Sequence, residues 1–188
     1  MAKNTIDKNS PEYLAKQIAS GRHSLLLILI FTLVNLVQLL LDSNSYFLFS
    51  ASVPYYLTAF CKGMDMGLGV DGIGTFTIIA LVVSLVILGI YLLCWLLSKK
   101  RMGWLVAAMV LFILDTVCLI AVAALMGFLG DSVLDLVFHV WAVVSMAMAI
   151  SADGKWKRLA AMEQAQMAYQ QYPPYQQPQQ PPYNGPEF

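Results

Sequence analysis

Charge is what this chain has least of. Asp, Glu, Lys and Arg make up 12% of its 188 residues and hydrophobic residues 59%, whereas soluble domains run about 25% charged and about 45–50% apolar. So little polar surface cannot cover a folded chain in water, which excludes a soluble globular domain. Net charge is zero, so no basic excess points to nucleic acid, and no such partner is expected. Cysteine is sparse as well. Cys94 and Cys118 fall at different depths of separate apolar runs and Cys61 stands apart from both, so no disulfide framework is expected and the thiols read as small packing groups. Enzyme signatures are missing: there is no H-E-x-x-H, no G-x-S-x-G elbow and no Walker loop. The Y-D and G-x-G-D pairs of intramembrane aspartyl proteases are absent too, since Asp115 follows Leu114 and Asp135 follows Leu134. "GLGVDG" (67–72) spells G-x-G-x-x-G, but it precedes an apolar run rather than lying between a strand and a soluble helix, so it reads as a flexible connector. No enzyme and no cofactor is expected.

What is present is oil in long runs. Residues 24–41, 74–97, 103–127 and 132–150 are each long enough to cross a bilayer, which takes about 20 apolar residues as a helix. They do not alternate as the strands of a barrel would, and backbone in lipid must satisfy itself, so they are expected to be helices. The expected fold is an all-α membrane protein, four transmembrane helices in an antiparallel bundle. Basic residues set its direction. Lys3, Lys8, Lys16 and Arg22 precede the first run, Lys99, Lys100 and Arg101 separate the second from the third, and Lys155, Lys157 and Arg158 follow the fourth. Lys62 alone falls on the other side, with Asp42, Asp65, Asp71 and Asp131. The positive-inside rule then puts both termini in the cytoplasm. The first run is too long for the core of a cleaved signal peptide and reads as an anchor.

The flanks divide into further units. Residues 1–23 form a leader in which Ser10, Pro11 and Glu12 begin a short helix on the inner leaflet, a mobile leader being the alternative. Residues 42–73 form the outer segment. Its "YFLFSASVPYYLTAF" (46–60) is aromatic, broken by Pro54 and too short to span, and is expected in the outer interface as a lid or dipping in and returning. Residues 151–170 extend the fourth helix into the cytoplasm, with its basic start on lipid headgroups. Residues 171–188 are rich in Pro, Gln and Tyr, carry "PPY" twice, and are expected to be disordered or polyproline II, a solubilising tail that can dock to partner proteins.

Polar residues inside the runs carry the functional question. Asp115 lies in the middle of the third run, where an isolated charge costs several kcal/mol or more. The short turn 128–132 makes the third and fourth runs neighbours, which brings His139 and Asp135 toward it. At about 100° per residue Asp135, His139, Ala142, Met146 and Ala149 share one stripe, with Val133, Leu136, Val137, Val140 and Val144 opposite. Thr32, Asn35 and Gln38 line one side of the first run, and Thr77, Ala80, Ser84 and Tyr91 one side of the second. These stripes face a common axis. Asn35, Ser84, Asp115, Asp135 and His139 are the candidate residues, read first as a hydrogen-bonded network tying the helices together. The alternative is a proton relay through Asp115 and His139. Asp131, Asp135 and His139, spaced along two turns of one helix, cannot close on one small ion, so no metal site is expected.

The stretch "IFTLVNLVQLLLDSNSYFLFSASVPYYL" (30–57) resembles a pattern in an uncharacterised family of small bacterial four-span integral membrane proteins. There a first span ends in a polar turn followed by an aromatic Y-F-L-F-S-A-x-x-P-Y-Y segment. The resemblance implies a bacterial cell-membrane protein and brings no activity with it. The expected role is a non-enzymatic membrane partner, scaffold or accessory subunit, able to form homo-oligomers and to use its tail for docking. The alternative is a small oligomeric proton-linked transporter or channel.

Overall fold

The computed structural model describes residues 8–43, 46–130 and 132–171, so the expectations for Asp131, for the first seven residues and for the Pro/Gln/Tyr-rich tail from residue 172 on lie outside it. Five helices follow one another: α1 (Pro11–Leu40), α2 (Ser52–Gly67), α3 (Thr75–Leu97), α4 (Gly103–Met126) and α5 (Val133–Gln171). Among the described residues there is no strand. Four of the helices, all but α2, are long and apolar enough to cross a membrane.

Each long helix hides one narrow stripe and shows hydrocarbon elsewhere. α3 buries Thr77, Ala80, Ser84, Leu88, Tyr91 and Cys94, and α4 buries Leu105, Ala108, Phe112, Asp115, Leu119 and Ala123. These residues recur every three or four positions, the repeat of a single helical face. Ile79, Val82, Val86 and Leu93 of α3, and Leu114, Val117 and Leu125 of α4, are exposed. Apolar residues on the outside and hydroxyls and carboxylates on the inside suit a chain whose solvent is lipid.

α1 begins earlier than the sequence suggests. The Ser10 hydroxyl accepts the Tyr13 amide at 3.3 Å, Pro11 occupies the first helical position, and Glu12 lies in the positively polarised first turn. The expected short leader helix is not separate from the first span. Nothing in residues 11–23 breaks a helix except Gly21, and packing uses that glycine: a Cβ there would lie 2.4 Å from Ala149 Cβ on α5. Next to it the Ser24 and Ser145 hydroxyls meet at 2.8 Å. Arg22 donates to the Ser98 carbonyl at the end of α3. The start of α1, the end of α3 and the middle of α5 thus meet at one end of the bundle. From there α5 runs on to Gln171, with Trp156, Met162, Met167 and Tyr169 exposed.

At the other end Asp65, near the end of α2, receives the start of α3. Its carboxylate accepts the Thr77 amide at 2.7 Å, the Thr77 hydroxyl at 2.6 Å and the Phe76 amide at 3.2 Å. It packs so closely on Gly74 that a Cβ there would lie 2.3 Å from Asp65 Cγ. Desolvation pushes the carboxyl pKa up, and the hydrogen bonds from Thr77, Phe76 and Gly74 outweigh it, holding the group below its ordinary value.

Two outcomes follow from these contacts. Gly21→Ala should cost about 1–3 kcal/mol through overpacking, read as a lowered thermal midpoint in detergent, and Ala149→Gly should restore part of it; an unchanged midpoint in the single variant would contradict the close approach. Because the Asp65 carboxyl titrates below its ordinary 3.8, its contribution is present above that pH and is lost as pH falls through the lower, folded value. Hydrogen exchange at the Thr77 amide should stay slow down to pH 4 and quicken only below it, and Asp65→Asn should remove that acid step.

Candidate functional site

The buried polar residues converge on segment 46–58, the stretch that leads into α2 and forms its first turns. α2 is not a lid across the end of the bundle. Its first residue lies against Asp115, in the middle of α4, and its last turns reach the start of α3. The chain therefore dips from the end of α1 to the middle of the bundle and returns as a helix. Pro54, expected to break this stretch, instead occupies its first turn, where proline is tolerated because it has no N–H to leave unpaired.

The descending segment of this dip has no ladder or helix of its own to satisfy its backbone, and α1 supplies the missing partners. Asn35 pairs with the Phe47 backbone in both directions at 2.8 Å, its amide nitrogen donating to the carbonyl and its oxygen accepting the N–H. The same nitrogen donates to the Ser50 hydroxyl at 2.8 Å. Phe49 turns the chain with φ of 76°, a left-handed conformation that costs a bulky residue energy. Its ring is held by Phe31, Phe138 and Trp141, with centroids 6.5, 5.8 and 4.9 Å away.

An α-helix starts with four N–H groups that have no partner inside it. In α2 all four are accounted for. The Ala51 amide donates to Thr32 Oγ1 at 2.7 Å. The Ser52 amide donates to Asp115 Oδ2 and the Val53 amide to Asp115 Oδ1, each at 2.8 Å. The fourth position is Pro54, which has no N–H. Asp115 is therefore a helix cap supplied by another helix. Its negative charge lies at the positive end of the α2 dipole, where a carboxylate is stabilised. The Pro54 carbonyl in turn accepts the hydroxyls of Thr58 and Ser84, at 2.8 and 3.1 Å, which ties this turn to α3.

His139 closes the site from α5. Its ring stacks on Phe112 with centroids 4.6 Å apart and planes within 6°. Nδ1 lies 2.9 Å from the Asp135 carbonyl, and Nε2 lies 3.3 Å from Asp115 Oδ2 and 3.4 Å from the Ser52 hydroxyl. Asp135 Oδ2 accepts the Tyr46 hydroxyl at 3.2 Å, while Asp135 Oδ1 has no hydrogen-bond partner among the described residues. His139 is 0% exposed, and Asp115 and Asp135 are each 4% exposed. Burial and the neighbouring Asp135 carboxylate push the Tyr46 phenol above its ordinary value, so it stays a donor.

Of the five residues singled out from the sequence, Asp115, Asp135 and His139 come together. Asn35 and Ser84 are buried but hold other parts of the inserted segment. Asp115 and His139 meet directly between α4 and α5, and each of the five also grips the chain threaded between the spans. Sequence reasoning passed over Ser52, Thr58, Tyr46, Lys62 and Asp65. Lys62 donates to the Leu39 carbonyl and to Asp42, fastening α2 to the end of α1. The available signal was the serine–proline spacing of "SVP" after an aromatic run, which resembles a helix start but names no distant cap. Among the described residues no group of three His, Cys, Asp or Glu side chains is placed to hold a metal ion. No protein-family model, curated protein or solved structure matches this chain.

Asp115→Ala would strand two amides and leave His139 without its acidic partner, at about 1–3 kcal/mol for each unsatisfied group. The expected result is a loss of folded yield and a lower unfolding midpoint in detergent, with Asp115→Asn, which keeps one acceptor, losing less. Wild-type stability in the alanine variant would refute the capping role.

Proposed function

We propose that this is a multi-pass protein of a bacterial cell membrane whose role is non-enzymatic: a membrane partner or accessory subunit with a rigid core and an outward-reaching arm. Its spans run antiparallel, and both termini lie on the cytoplasmic side. The clustering of Arg22 with the end of α3, next to Lys99, Lys100 and Arg101 and on the side from which the basic start of the α5 extension leaves, supports that orientation. Lys62 and Asp42 pair at the opposite end.

One observation carries the reading. Both oxygens of Asp115, the residue best placed for transport chemistry, are taken by the amides that start α2. A carboxylate that moved or gave up its charge in every transport cycle would unfasten the inserted helix each time. The buried polar groups thus serve a scaffold, which frees the α5 extension to meet partners. There Trp156, Met162, Met167 and Tyr169 stand exposed beyond the packed part of the bundle.

The test is reconstitution. Liposomes holding the parent protein should show no proton-linked flux above empty liposomes, and Asp115→Asn or His139→Gln should lower folded yield. Flux in the parent that these variants abolish at preserved yield would establish the transporter alternative instead. A carboxy-terminal fluorescent-protein fusion should be bright and a phosphatase fusion inactive; the opposite pair would reverse the orientation.

A further inference from the structure

The geometry around His139 points to a bound proton: we infer that the ring is held doubly protonated between the Asp135 carbonyl and Asp115 Oδ2, and that this second, titratable proton locks α2 in place. The Asp135 carbonyl, 2.9 Å from Nδ1, can only accept, so Nδ1 carries a hydrogen. On the other side of the ring Nε2 lies 3.3 Å from Asp115 Oδ2, which already accepts the Ser52 amide. A neutral imidazole has one N–H and one lone pair. With its hydrogen on Nδ1, its lone pair would face a carboxylate oxygen; with its hydrogen on Nε2, its lone pair would face the Asp135 carbonyl. Either way one nitrogen would be pressed against an acceptor in a fully buried site. A second proton removes the conflict, carried on the ring as an imidazolium that donates to the Asp135 carbonyl through Nδ1 and to Asp115 through Nε2. The Ser52 hydroxyl, 3.4 Å from Nε2, offers a longer and weaker bond and leaves the carboxylate facing the lone pair.

The neighbouring groups suit a site that exchanges with one side only. From α5 Asp135 Oδ1 lies 3.6 Å from Nδ1 and is the next acceptor. The Tyr46 hydroxyl bonds the other oxygen of that carboxylate and lines an open polar cavity of about 460 Å³ with Asp42, Tyr55 and Lys62. Tyr56 of α2 and Tyr91 of α3 complete the titratable surroundings, and α1 contributes none beyond its first turns, since residues 24–40 hold no ionisable side chain. A proton leaving His139 Nδ1 would pass to Asp135 Oδ1 and then, past Tyr46, to water in that cavity. What remains is a neutral ring hydrogen-bonded to Asp115 through Nε2–H, with its Nδ1 lone pair against the Asp135 carbonyl. That repulsion is relieved by moving the ring, and the ring is what backs the Asp115 cap.

The inference rests on the capping role described above, yet its test is separate, because it reads the proton and not flux or partners. His23 and His139 are the two histidines, so a His23→Gln protein labelled with ¹⁵N at histidine reports one ring. In lipid nanodiscs both ring nitrogens of His139 should carry hydrogen at pH 7. As pH rises through the ring's titration, protection of the Ser52 and Val53 amides against hydrogen exchange, corrected for intrinsic rates, should fall about tenfold per pH unit. Protection of the Thr77 amide, capped by Asp65, should not follow. A His139 ring that is neutral at pH 7 in either tautomer, or Ser52 and Val53 protection that does not change with its titration, would overturn the inference.

Discussion

Two backbone amides and one carboxylate decide this structure. Ser52 and Val53 begin a helix in the middle of a bundle, where no water can take their N–H groups, and Asp115 takes both. Remove that acceptor and the segment from Tyr46 to Thr58 has no reason to enter the bundle, because non-helical backbone at such depth is tolerated only where protein groups satisfy it. The polar stripes of the other helices then have a common purpose. Asn35 and Thr32 hold the descending segment, Ser84 and Thr58 close on the Pro54 carbonyl, and His139 backs the carboxylate. An acid in an oily run, costly alone, is stabilised here by the dipole of the helix it caps.

The same device occurs twice. Asp65, carried by α2, caps the start of α3 just as Asp115, carried by α4, caps the start of α2. The order α4 to α2 to α3 therefore runs through carboxylates meeting helix starts, while α1 and α5 join through small residues: Gly21 against Ala149 and Ser24 against Ser145. Directional polar bonds fix where α2 lies, and close steric fit fixes how α1 meets α5. Cores in lipid depend on both, since apolar burial gives no net preference for protein over hydrocarbon tails.

Much of this was legible in the sequence. The long helices at 75–97 and 103–126 and the first half of α5 follow from unbroken apolar runs, and the buried stripe Asp135, His139, Ala142, Met146 and Ala149 follows from helical period alone. What local pattern could not show was the partnership of distant residues. Residues 11–23 read as a separate leader because their charges contrast with the oil that follows, yet a helix continues as long as nothing breaks it, and Gly21 was needed for contact. Pro54 read as a breaker because a breaker and a first-turn proline look the same until the donors around it are counted. Asp65 read as one of several outer acids because nothing nearby says that Thr77 will fold back onto it.

The central claim is that Asp115 holds the start of α2 inside the bundle. Its most direct test is a solid-state NMR measurement, in bilayers, of the coupling between the Asp115 carboxyl carbon and the amide nitrogens of Ser52 and Val53. The account predicts direct hydrogen-bond contact to both, corresponding to the 2.8 Å oxygen–nitrogen separations. Loss of either coupling, with the carboxyl group instead in contact with lipid chains, would contradict it.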